Sequence, residues 1–222
     1  TLVANAREVV EHTKKNFLPE LLKKYPGVNT SIEGQSKQTA KTGSSMLRSF
    51  AIGLIGIFIL LSFQFRSYSE PLIVMIVIPM ALIGVVWGHL LMGLNFTMPG
   101  IIGFASLAGI VVNDSILLVE FLKLRIREGH SIVEAAKLAS RERFRAVLLT
   151  SVTTIAGLTP LLLEKSMQAQ VLVPLATSIV FGLLTTTLLV LLVVPAMYSI
   201  LGDLGITSTE KEKELLETET VV

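Results

Sequence analysis

The stretch "GIVVNDSILLVEF", residues 109–121, has the apolar density of a membrane-spanning helix, yet Asn113 and Asp114 stand in its middle and Glu120 near its end. Between Glu70 and Asp114 no acid, lysine or arginine occurs over 43 residues. A hydrocarbon layer of about 30 Å takes about 20 apolar residues at the helical rise. The uncharged run is therefore too long for one helix, and "GLNFTMPG" at 93–100 supplies the break, because Asn, Pro and Gly favour a turn. The same counting along the chain predicts five spans, about 48–66, 71–93, 98–122, 146–163 and 171–201. Pro174 and Pro195 fall near the two ends of the last, where helices tolerate proline best.

Composition agrees with a membrane protein: 51% of the 222 residues are hydrophobic and only 16% charged, a balance seldom found in a soluble domain. A net charge of +2 without any purely basic cluster argues against a nucleic-acid partner and leaves membrane lipid as the surrounding medium. The absence of cysteine excludes disulfides and thiolate metal sites. Seven Lys and Arg lie between the third and fourth spans, from Lys123 to Arg145, whereas the loop at 93–98 has none and that at 164–170 only Lys165. By the positive-inside rule the basic loop is cytoplasmic, which places residues 1–46 outside and the tail 203–222 inside. Within that loop Ser131 and Glu134 form a capping box, and Ile132, Ala135, Ala136 and Ala139 share one face. These predict a short helix over 131–143 lying on the inner surface.

Residues 1–46 begin with a predicted amphipathic helix (Ala6, Val9, Val10, Phe17, Leu21, Leu22) ending at "YPG". A short strand with Val28, Thr30 and Ile32 on one face follows, then Gly34 and a polar helix leading into the first span. Such a segment is too short to close its own core and is expected to be the last part of a larger external domain. Its polar opening shows no signal peptide, and the chain is expected to be a piece of something longer. The charged tail after Asp203 lacks aromatics and is expected to be disordered. The fold class is thus mainly α: a polytopic bundle of five transmembrane helices with a partial α/β segment at its N-terminus.

Asp114 lies about 9 Å from the cytoplasmic end of its span, inside the hydrocarbon layer. A carboxylate there costs about 2.5–3.5 kcal/mol on insertion scales, so it needs a reason to be present. A carboxyl group held out of water can carry a proton and give it up when water or a cation approaches. The alternative is a hydrogen-bonded Asp that only joins helices. Glu120, near the interface, fits a snorkelling or helix-end residue. In the fourth span Thr150, Thr154 and Gly157 share a face, with Thr153 beside them, suited either to relaying protons through water or to close helix packing. Gly103, Ala105 and Gly109, the pair Gly84 and Gly88, and the pair Ser178 and Gly182 are predicted packing seams. Arg143, just before the fourth span, can reach inward to a carboxylate or serve as one more positive-inside charge. His89 stands alone in the second span with no second ligand at helical spacing, and the methionines form no ladder, so no metal or other cofactor is expected. No Ser/His, Cys/His or metal-ligand cluster points to an enzyme.

The order of "FRSYSEPLIVMIVIPMALIG", "GIVVNDSILLVEF", a basic loop, "RERFRAVLLTSVTTIAGLTPLLL" and "VVPAMYSIL" resembles the resistance-nodulation-division (RND) efflux transporters, proton-driven pumps of bacterial inner membranes. The likeness covers residues 1–202 and implies the end of the second periplasmic porter domain followed by the last five membrane helices. It implies that the N-terminal half, absent from this sequence, carries paired aspartates facing Asn113 and Asp114. It implies a proton relay of Asp114, Asn113, Arg143 and Thr150, a homotrimer, a periplasmic adaptor and an outer-membrane channel. It further implies export of amphiphilic compounds by proton/substrate antiport, although the substrate pocket lies outside these residues. Many members carry lysine where this chain has Asn113. The positive charge is then replaced by Arg143, or made unnecessary by Asp114 itself, or the network is rearranged. Protein-translocation or lipid-export relatives of the same superfamily, and a non-transporting scaffold in which Asp114 is structural, are the alternatives.

Overall fold

A computed structural model of the chain describes residues 9, 10, 12–25 and 35–203. The expected strand at Val28–Ile32, the position of Ala6 and the tail beyond Asp203 lie outside the described residues. Every regular element described is helical. A π-turn, Thr13–Phe17, leads into α1 (Leu18–Lys24). Then come α2 (Gln35–Phe65), α3 (Glu70–Leu91), α4 (Met98–Arg127), α5 (Ile132–Leu163), the short α6 (Met167–Gln170) and α7 (Val173–Asp203). Two compact units are formed, residues 1–49 and residues 50–222. In the first, Phe17, Leu21, Leu22 and Tyr25 are all exposed, so the described part of the amphipathic helix has no covered apolar face.

Five helices, α2 to α5 and α7, are long and apolar enough to cross a membrane. The breaks between them follow the local chemistry. Gly93 adopts a left-handed conformation (φ 64°) after α3, and Pro99 sits in the first turn of α4, where its missing N–H costs nothing. Ser131 accepts from the Glu134 amide while the Glu134 carboxylate accepts from the Ser131 N–H, the capping box expected at this point. The helix that it starts differs from the expected one. It does not end near residue 143 as a separate surface element but continues unbroken to Leu163. The stretch "SRERFRA", 140–146, has neither Gly nor Pro, and Arg, Glu and Ala are strong helix formers, so nothing in it stops the helix. The charge density that marks a membrane boundary does not mark a helix boundary.

The core of the second unit lies around α7, which packs against α3, α4 and α5. Close approach is made possible by glycine. A Cβ on Gly103 would lie 2.5 Å from the Leu175 carbonyl oxygen and 2.8 Å from the Ser178 Cβ, and one on Gly84 would lie 2.5 Å from the Phe181 carbonyl oxygen. Gly88 is pressed in the same way against the Phe181 side chain, and Gly182 against Leu107. Gly109, expected in the α4 seam, has nothing within 4 Å of the place its Cβ would take. It belongs to an open stripe of α4 instead. Pro195 has no N–H to give to the Leu191 carbonyl one turn back, and Ser140 of α5 donates to that oxygen at 3.3 Å. In α2, Leu61 and Phe65 enter the core, whereas Ile52, Ile55, Leu60 and Phe63 are exposed. Both α2 and α5 thus present long apolar faces that no described residue covers.

Candidate functional site

Asp114 sits at the midpoint of α4, 8% exposed, between the fully buried Val111 and Leu118 turns. Among the described residues its carboxyl group makes no hydrogen bond. The countercharge is Arg143 from α5, close enough to act on the carboxyl group electrostatically. The Arg143 guanidinium lies over the Phe121 ring, its Cζ 3.8 Å from the centroid, and its Nε is buried without a hydrogen-bond partner among the described residues. Phe121 follows Asp114 by two turns on the same face of α4, about 10 Å along the axis. A cation–π platform therefore holds the arginine beside the acid's face without neutralising it through a direct bond.

The other two residues expected in a relay are placed differently. Asn113 is exposed on the open stripe of α4 that includes Ile102, Ser106, Gly109 and Leu117. Thr150 is exposed on α5 and its hydroxyl donates to the Val147 carbonyl of its own helix at 2.9 Å. Thr153 and Thr154 likewise donate within α5, both to the Thr150 carbonyl. The structure thus brings Asp114 and Arg143 together and leaves Asn113 and Thr150 on uncovered faces. Besides the Ser140 bond to the Leu191 carbonyl, a hydroxyl pair, Ser151 with Thr187 at 2.6 Å, joins α5 to α7. Glu120 is half-buried and accepts from Gln64 Nε2 of α2 at 3.2 Å, a link between helix ends. His89 is buried, its Nδ1 2.9 Å from the Val85 carbonyl oxygen and its ring 5.2 Å from that of Phe96.

A second buried charge site escaped the sequence. Lys123 of α4 donates to Glu70 Oε2 at 3.0 Å and to the Phe65 carbonyl at 2.9 Å, while the Tyr198 hydroxyl of α7 donates to Glu70 Oε1 at 3.2 Å. Glu70 and Tyr198 are fully buried and Lys123 is nearly so. One ammonium thereby satisfies the last carbonyl of α2, just before Arg66 turns left-handed (φ 53°), and the acid in the first turn of α3. The cluster ties α2, α3, α4 and α7 together at the end of the molecule carrying the basic segment. Spacing could have revealed it: Val111, Ser115 and Val119 recur every four residues on the buried face, and Lys123 is the next position.

Comparison with known proteins places this arrangement. Residues 2–202 match the model of the AcrB/AcrD/AcrF family. The chain belongs to that family, the RND efflux transporters. It is 30% identical over 189 residues to the toluene efflux pump membrane transporter TtgB of Pseudomonas putida, covering 85% of this chain and 18% of that protein. It is 31% identical over 147 residues to the cobalt-zinc-cadmium resistance protein CzcA of Cupriavidus metallidurans, covering 66% of this chain and 14% of that protein. Among solved structures, a heavy metal efflux pump superposes with a TM-score of 0.74 at 26% identity, over 90% of this chain and 20% of that one. The chain therefore spans less than a fifth of the length of the curated relatives it matches.

Proposed function

We propose that these residues are the C-terminal membrane part of a proton-driven RND pump in a bacterial inner membrane, exporting amphiphilic compounds by proton/substrate antiport. Asp114 is the proton-carrying group of this half. Its burial in mid-helix, with a cation from a neighbouring helix and no hydrogen bond among the described residues, is the observation that carries the proposal. A carboxyl group so placed is sensitive to any change in its surroundings, because no fixed donor holds one protonation state. Arg143 sets the field at Asp114. Asn113 and Thr150, on faces open in this chain, meet the N-terminal half that bears the paired aspartates. Protonation removes a desolvated charge interaction, the helices shift, and the periplasmic porter domain cycles. The working unit is a homotrimer with a periplasmic adaptor and an outer-membrane channel, the N-terminal segment lying outside and the C-terminal tail in the cytoplasm.

Export by the full-length transporter tests this. Asp114→Asn should abolish proton-coupled export while expression and assembly stay intact, and Arg143→Ala and Thr150→Ala should each weaken it. Wild-type export by Asp114→Asn would make Asp114 a structural residue. A second cargo, divalent metal ions, is favoured by the likeness to the heavy metal efflux pump structure. Counting substrate-driven proton release with an organic amphiphile and with zinc in the same proteoliposomes separates the two.

A further inference from the structure

Between the first half of α5 and the last half of α7 runs an open groove of about 670 Å³. Its walls are apolar, with Ala136 and Phe144 on one side and Leu188 and Leu192 on the other. Two charged side chains reach it, Lys137 and Arg141, one turn apart on α5, and neither makes an ion pair or hydrogen bond among the described residues. Among the described residues the nearby acids are already engaged. Glu134 closes the cap at Ser131, and Glu142 holds Arg125 through bonds of 2.7 and 3.3 Å. The hydroxyls of the groove are engaged too, since Ser140 and Ser199 both donate to main-chain carbonyls. What the described residues leave for a ligand is two unneutralised cations above a strip of hydrocarbon.

The strip has a direction. Phe144 and Leu188 lie toward the apolar run of α5, and the two cations lie toward its charged start, at the level where the positive-inside distribution puts the cytoplasmic headgroups. We propose that the groove holds one anionic phospholipid of the inner leaflet, its phosphate between Lys137 and Arg141 and an acyl chain along Leu188 and Leu192. Leu188 and Leu192 are 64% and 70% exposed at membrane depth, so a chain seated there removes apolar surface that this part of the protein leaves bare. A zwitterionic lipid fills the same strip but brings a cation toward two others, and basic pockets on the cytoplasmic side of helix bundles select acidic headgroups for this reason. The proposal rests on the membrane orientation, not on the proton role of Asp114.

A bimane fluorophore on Leu192→Cys, in the full-length transporter otherwise free of cysteine and reconstituted in vesicles, reports what lies in the groove. Brominated phosphatidylglycerol should quench it at about a tenth of the mole fraction needed for brominated phosphatidylcholine. Adding K137Q and R141Q should remove that preference, K137R with R141K should keep it, and inorganic phosphate at millimolar level should not displace the quencher. Equal quenching by the two lipids, a preference that survives K137Q/R141Q, or displacement by phosphate would overturn the proposal. Failure of both lipids to quench would also overturn it, since a protein segment would then cover the groove. Proton-coupled export by the K137Q/R141Q variant, measured in the same vesicles, distinguishes loss of this site from loss of the pump itself.

Discussion

Asp114 and Lys123 are nine residues apart on α4, both almost completely buried, and they meet the cost of burying an ionisable group in opposite ways. Lys123 is paired, with an acid and a carbonyl, and Glu70 accepts in turn from Lys123 and Tyr198. Breaking such a pair from one side leaves an uncompensated charge and costs about 3–5 kcal/mol, whereas replacing both members by apolar groups of similar size is close to neutral. Glu70→Gln or Lys123→Met alone should therefore sharply lower the unfolding temperature of the purified transporter. The double variant Glu70→Leu/Lys123→Met should recover most of the loss, and additive losses would show that the pair is not a coupled unit. Asp114 was legible in the sequence because an acid interrupts an apolar run there. Lys123 was not, because it heads a run of basic residues that the positive-inside rule explains without burial. The distinction between a satisfied charge and a poised one exists only once the neighbouring helices are in place.

Whole elements sort by how much of their surface this chain covers. The face of α4 carrying Gly103 and Leu107 is locked into α7, while the face carrying Gly109 and Asn113 is open. Overfilling a packed seam costs about 1–3 kcal/mol or more. Gly103→Leu should thus lower thermal stability and yield of the folded transporter. Gly109→Leu should spare the packing of these helices and instead weaken crosslinking to the N-terminal half and export. An equal loss of stability from the two would contradict the assignment of the open stripe. The spans were readable because length and hydropathy are local properties. Glycine seams were readable as a class, and Gly84, Gly88, Gly103 and Gly182 are indeed at close approaches, but Gly109 shows that spacing alone does not say which partner a small residue faces. The expected break after residue 143 is absent, because the charged residues 141–145 that mark the membrane boundary extend the helix by their own propensity.

For the whole molecule, the proposed orientation with the basic segment inside puts His130 on the inner side and Ser166 on the outer side of the five candidate spans. A membrane-impermeant maleimide added to intact spheroplasts should label Ser166→Cys and spare His130→Cys until the membrane is opened. The reverse pattern would invert the orientation. Among the described residues α2, α4 and α5 keep open faces, in a chain that spans less than a fifth of the length of its relatives, and the proposed relay needs partners beyond them. The proposed proton chemistry centres on one group in this chain, Asp114. Infrared difference spectroscopy of the full-length transporter, taken across a pH step, follows that group directly. A protonated-carboxyl band should rise and fall with the pH step and be missing in Asp114→Asn. A band set identical in the wild type and Asp114→Asn would mean that Asp114 exchanges no proton.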